Sequence, residues 1–470
     1  MPLEAAPHGF GQRFDLPLPL WLWMTGAGAT IVLTFAVIAI FFRARNPATR
    51  YPRFNLLRLA PIRLVTRPAM VGLIQLLAVA LFLLTACTGL LGVQDPYSNL
   101  TTTMIWVVWW VGLAFICALV GDLWALVNPL RTIFAWCEGL YARLTGGRSL
   151  ARARPYPTWL GAWPGVALFL CFAWAELVWQ QNDVPRYLAI AMLAYAAVTW
   201  CGMFLFGREV WLGNGEAFAI AFGVLGRFAP LEAAPGALNL RPPGAGLLTD
   251  RPVRVSFLVF VMLMLASVTF DGFLETPLSQ RMAASVQKSP AMATLLFELS
   301  EWGLDESQLI ATAALIAFAL AFLAIFWLTS WIMVRLAQRN LSAGETACAF
   351  VLTLVPIAVA YHLSHYFSLL LTVGQFVIPL ASDPFGFGWD LFGTAQYKVD
   401  LGIVSPYVFW YSAVTIIVIG HIVAVVLAHI AALRVSGSHR GALVSQIPMV
   451  VLMVAYTTLS LWILAQPIVG

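Results

Sequence analysis

Two of the six histidines in this 470-residue sequence, His362 and His365, stand three residues apart in the apolar stretch TLVPIAVAYHLSHYFSLLLTVGQ. On a helix that spacing puts both imidazoles on one face, where they can converge on one ion or one substrate. Two neutral histidines hydrogen-bonded to neighbouring helices would satisfy the same pattern. His421, in TIIVIGHIVAVVLAHI, lies where it can supply a third metal ligand, and His429 reads as structural. An ionisable group inside an apolar helix costs at least ~2.5 kcal/mol, so each one needs a reason. Asp271, with Thr269, falls in LASVTFDGFLETP, and Glu176 in CFAWAELVWQQND. Carboxylates there suit a divalent cation or a general base, and Asp271 also fits an ordinary helix end meeting water. The leader HGFGQRFD gathers His8, Arg13 and Asp15 within eight residues and is a further source of ligands. Asp122, in VGDLWALVNPLRT, is expected to pair with an arginine.

The elements that must carry these groups are helices in a membrane. Apolar residues make up 61% of the chain and charged ones 10%, against about a quarter charged in soluble domains. Ten apolar windows recur, at about 19–42, 70–93, 103–127, 158–181, 186–207, 253–272, 307–333, 347–376, 404–433 and 446–467. Each is long enough to cross ~30 Å of hydrocarbon and must be helical to satisfy its own backbone. The expected fold is therefore an all-α, polytopic transmembrane bundle forming one integral membrane domain over 1–470. If both termini lie outside, the inner connections hold 21 of the 26 basic residues, as the positive-inside rule requires. The outer connections keep Arg13, Arg186, Arg281, Lys288 and Lys398. The arginine collar then contacts anionic lipid headgroups, and nucleic acid is not an expected partner. The six cysteines show no CxxC spacing and read as small packing residues. Within the inner segment 208–252, residues Ala217 to Phe228 form an expected re-entrant or interfacial helix. An outer loop is expected at 380–402.

The segments HGFGQRFDLPLPLWLW, WLGNGEAFAIAFGVLGRFAPLE, VTFDGFLETP, YHLSHYFSLLLTVGQ and SDPFGFGWDLFGT resemble the bacterial membrane proteins called fenitrothion hydrolases, from His8 to about Thr394. The resemblance implies hydrolysis of an organophosphorus triester at an outward-facing intramembrane site of the bacterial inner membrane. On that expectation His362, His365 and either His421 or His8 bind a divalent metal whose water attacks phosphorus. Asp271 and Glu176 act as ligand or base, and Phe385, Phe387, Trp389 and Thr269 line the pocket for a small apolar substrate. Two other classes fit the same residues: a transporter or channel for a proton-coupled solute or a metal ion, and a membrane partner that works with a second subunit.

Overall fold

The structure is a computed structural model, and it describes residues 16, 18–41, 51–249, 252–301, 305–337, 342–436 and 439–469. His8, Arg13 and Asp15 lie outside the described residues. Ten helices form the bundle: α1 (Leu20–Phe41), α2 (Pro68–Leu91), α3 (Leu100–Leu119), α4 (Trp163–Leu177), α5 (Pro185–Phe206), α6 (Val255–Leu274), α7 (Glu306–Ala337), α8 (Ala343–Ser382), α9 (Pro406–Ser436) and α10 (His439–Val469). Among the described residues, nine of them are long and apolar enough to cross a membrane. The exception is α4, expected over 158–181 but helical for only 15 residues. Turns at 158–162 and after Leu177 shorten it, so Glu176 sits in its last turn.

Hydrogen bonds between connections show which ones share an end of the bundle. The strand β1 (Phe54–Asn55) pairs with β3 (Ala237–Leu240), which also pairs with β2 (Leu231–Ala234), so the α1–α2 and α5–α6 connections meet in one small antiparallel sheet. Arg152 and Arg154 donate backbone N–H groups to Phe204 and Leu205 at the end of α5. Val253 donates to Cys348, and Arg434 reaches the Thr249 carbonyl at 3.3 Å. These contacts gather the arginine-rich connections at one end. At the other, Val93 and Leu100 donate to Phe385 and Pro384, and Gln180 bonds Asp305. The alternation required by the basic residues is therefore built into the fold.

Three departures from regular helix shape the interior. Residues Met104–Gly112 of α3 form a nine-residue π-helix, a form associated with functional sites. The α8 helix passes through a 3₁₀ turn at Val351–Leu354 and restarts at Val355 with Pro356 in its first turn. Pro356 cannot donate to the preceding turn, which explains the break. The expected interfacial helix Ala217–Phe228 lies inside the bundle, packed on α3, α4 and α8, with eight of its 12 residues buried. Glu216 makes this possible by satisfying the helix N-terminus in apolar surroundings. Its carboxylate accepts the Phe218 and Ala219 amides at 3.0 and 2.7 Å and the Tyr195 hydroxyl.

Asp122 does not pair with an arginine among the described residues. It accepts the Ala125 amide at 3.1 Å and sits against Gly226 at the break after α3.

The tightest helix crossing is α8 on α9. A Cβ at Gly420 would stand 2.3 Å from Ala360 Cβ and 2.7 Å from the Pro356 carbonyl oxygen. Gly420→Ala must push the two helices apart, at a cost of about 1–3 kcal/mol, seen as a lower midpoint of thermal unfolding in detergent. At the arginine-rich end, Glu232 accepts Arg53 Nε at 2.6 Å and the buried Arg241 Nη1 at 2.9 Å. The bond from Arg53 holds the Glu232 carboxyl below its ordinary value, against an opposing effect of burial. This stabilisation is present above the unfolded carboxylate value of ~4.3 and is lost as pH falls through the lowered folded value. Amide exchange across 231–240 should accelerate below that pH in the wild type, and Glu232→Gln should show fast exchange already at neutral pH.

Candidate functional site

Near the arginine-poor end, the last turn of α6 meets the middle of α8. Asp271 Oδ2 lies 2.9 Å from His365 Nε2 and accepts the Tyr366 hydroxyl at 2.7 Å. Two donors thus converge on one oxygen of a carboxylate that is mostly withdrawn from solvent, its side chain 14% exposed. Bonds that converge on a carboxyl oxygen where competing water is scarce are strong ones. The approach depends on Gly272. A Cβ there would stand 2.5 Å from the Tyr361 hydroxyl and 2.8 Å from Ile463 Cγ2.

His362 and His365 share one helical face, as their spacing predicts, and both are buried. Tyr366 stands between them, its ring 4.8 Å from His362 and 4.7 Å from His365. His362 is boxed by Tyr366, Phe115 and Trp110 of the π-helix. Its Nε2 has no hydrogen-bond partner among the described residues. Glu176, from the end of α4, lies beside Trp110 and Tyr366 and adds a second carboxyl group near Asp271. Asp271, Glu176, His362 and His365 are therefore brought into one neighbourhood by α4, α6 and α8.

The other expected residues fall elsewhere. Thr269 is fully buried two residues before Asp271, on another side of α6; its hydroxyl donates to the Leu265 carbonyl at 2.7 Å and accepts the Tyr456 hydroxyl at 2.6 Å. His421 faces Tyr456 of α10, with ring centroids 6.2 Å apart and Nδ1 2.8 Å from the Ile417 carbonyl. Phe385 and Phe387 stack on each other, and Trp389 meets both edge-on, in the turn after α8, which is bonded to the α2–α3 connection. Among the described residues, no three His, Cys, Asp or Glu side chains are grouped so as to hold a metal ion. As placed, the donors pair with one another and with aromatic rings.

A cavity of about 440 Å³ opens on the flank between α2, α3, α4 and α5, lined by Leu81, Trp106, Trp109, Phe172, Ala175 and Tyr195 among others. Trp109 and Ala175 form its wall, and their chain neighbours Trp110 and Glu176 belong to the polar neighbourhood. The π-helix and the end of α4 thus separate a space for an apolar molecule from an acid–base cluster by one layer of side chains.

Sequence reasoning missed Tyr361, Tyr366, Tyr456 and Trp110. A signal for the first two was present: YHLSHY places each tyrosine four residues from a histidine, Tyr361 from His365 and Tyr366 from His362. Nothing local marks Tyr456 or Trp110, which depend on which helices pack together. Comparison of the chain with protein-family models, curated proteins and solved structures finds no match.

If Asp271 and Tyr366 are bonded as described, their substitutions must couple. A double-mutant cycle with Asp271→Asn and Tyr366→Phe, read by unfolding in detergent, should give an interaction energy of about 0.5–3 kcal/mol. Strict additivity would remove the bond.

Proposed function

We propose that this chain is a multi-pass protein of the bacterial inner membrane, with both termini and the Asp271 end outside. It uses Asp271 and His365 as an acid–base centre acting on a small apolar molecule. The reaction implied by the resemblance is hydrolysis of an organophosphorus triester such as fenitrothion. The observation that carries this reading is the convergence of His365 and Tyr366 on Asp271 Oδ2, one side-chain layer from an apolar, aromatic-lined cavity.

A carboxylate bonded to an imidazole orients the ring and stabilises the cation formed when the ring accepts a proton. In hydrolysis, His365 takes a proton from water as the water oxygen bonds to phosphorus and the phosphorus–aryloxy bond breaks. The nitrophenolate leaves with the bonding electron pair, and His365 then releases the proton. Tyr366 holds the carboxylate in place, and Glu176 lies where it can accept or return a proton. The cavity suits an uncharged triester, since its lining provides no charged group to compensate an ion. The donors do not form a metal site as they stand, so no step is routed through a metal.

A transport reading is favoured by a separate observation, the buried polar residues Tyr456, His421 and His429 that continue away from Asp271 along α9 and α10. The two readings separate experimentally. Membranes carrying the protein should release nitrophenol from fenitrothion, and Asp271→Asn and His365→Gln should each lower the rate by about 10²–10⁴-fold while inserting normally. Loss of the rate on adding chelator would show that a metal is recruited. Absence of nitrophenol from correctly inserted wild type, or full activity in Asp271→Asn, would defeat the hydrolytic reading. Solute accumulation in sealed vesicles without chemical conversion would establish transport.

A further inference from the structure

Beyond the Asp271 neighbourhood the bundle interior carries a line of polar side chains that a purely structural core does not need. The ring of Tyr361 stacks on His365, with centroids 5.8 Å apart and planes 6° from parallel. Tyr456 follows, 6.3 Å from Tyr361, and His421 stands 6.2 Å beyond it. These residues come from α8, α10 and α9, and the exposures of Tyr361, Tyr456 and His421 are 1%, 8% and 1%. Burying a hydroxyl or an imidazole among Leu, Val and Met side chains is costly unless its bonds are made. The Tyr361 hydroxyl and His421 Nε2 have no hydrogen-bond partner among the described residues, so no static bond accounts for either. Both atoms belong to groups that can accept and pass on a proton.

Eight residues further along α9, His429 is fully buried and its Nδ1 lies 3.2 Å from the Gln446 side chain. His439, at the arginine-rich end of α10, has its ring 6.3 Å from that of His429. Between His421 and His429 the rise along the helix is about 12 Å. Ala424, Val425, Ala428, Met449 and Met453 belong to the buried apolar cluster at this level. Two polar segments therefore approach each other from opposite ends of the bundle and are separated by one apolar layer. Its two thioether side chains are the most easily rearranged of core residues.

We infer that this line is a proton route between the Asp271–His365 centre and the arginine-rich end, through Tyr361, Tyr456, His421 and His429, closed here at the Met449–Met453 layer. The inference rests on the reading of Asp271 and His365 as a proton-handling pair. The route transfers protons only. Each imidazole accepts a proton on one nitrogen and releases one from the other, each hydroxyl accepts a proton on its oxygen as it gives up its own, and water bridges the apolar layer when the methionines turn aside. Asp271, Glu176 and Glu275 are the titratable groups at one end, and His429 and His439 those at the other.

The test uses the purified full chain in liposomes loaded with a pH-sensitive dye, under an imposed potassium diffusion potential. Wild type should acidify or alkalinise the lumen faster than protein-free liposomes, and His421→Phe and His429→Leu should each reduce the rate at least tenfold. Met453→Ala, which shortens a side chain of the closing layer, should raise it several-fold. Nitrophenol release should survive His429→Leu, which lies outside the acid–base centre. Proton flux in wild type and Met453→Ala equal to that of empty liposomes would overturn the route. So would a flux unchanged by both histidine substitutions. Either result beside intact, Asp271-dependent nitrophenol release would leave the acid–base centre standing. A histidine-dependent flux without hydrolysis would confirm the route and remove the hydrolytic reading.

Discussion

A carboxylate inside an apolar bundle has to find its hydrogen-bond donors within the protein, and the two donors on Asp271 Oδ2 are the interaction around which this interior is arranged. Both come from adjacent residues of α8, so that helix must arrive with one particular rotation. The 3₁₀ turn and Pro356 interrupt α8 six residues before His362 and allow its second half to reorient. Gly420 lets α9 lie directly on that break, and Gly272 lets α6 approach Tyr361. Each glycine removes a Cβ where two backbones or a backbone and a ring would otherwise collide.

The π-helix in α3 and the early end of α4 serve the other side of the same arrangement. Trp109 and Ala175 complete an apolar cavity, while Trp110 and Glu176 turn toward His362 and Tyr366. An apolar molecule can then be held beside an acid–base group without exposing that group to the surrounding apolar phase. The closeness matters because general acid–base work requires hydrogen-bond reach, directly or through one water.

The arginine-rich end has its own logic. Connections distant in sequence are tied there by β1 and β3, by Glu232 with Arg53 and Arg241, and by Arg434 with the Thr249 carbonyl. The Ala217–Phe228 helix follows α5 from this end and packs on α3, α4 and α8. Its N-terminal amides donate to the Glu216 carboxylate, which the Tyr195 hydroxyl in turn holds. This is the requirement met at Asp271, solved here by a capping carboxylate.

Much of this fold was legible in the sequence, because hydrocarbon imposes length and apolarity on every crossing helix. The ten windows all became helices, and the alternation of arginines marked which connections share an end. The three-residue spacing of His362 and His365 placed both on one face, since helical geometry alone sets which residues share a face; that this face is buried came from the packing. Asp271 and Glu176 stood out because charge is rare in such helices. What the sequence could not supply were the partners. That His365 bonds Asp271, that His362 is enclosed by Trp110, and that His421 faces Tyr456 all depend on which helices touch and at what rotation. The same holds for the burial of Ala217–Phe228, whose composition suits an interface and a core equally well. Local pattern determined the elements and their polar burden; only packing, through Gly272, Pro356 and Gly420, decided where that burden would meet.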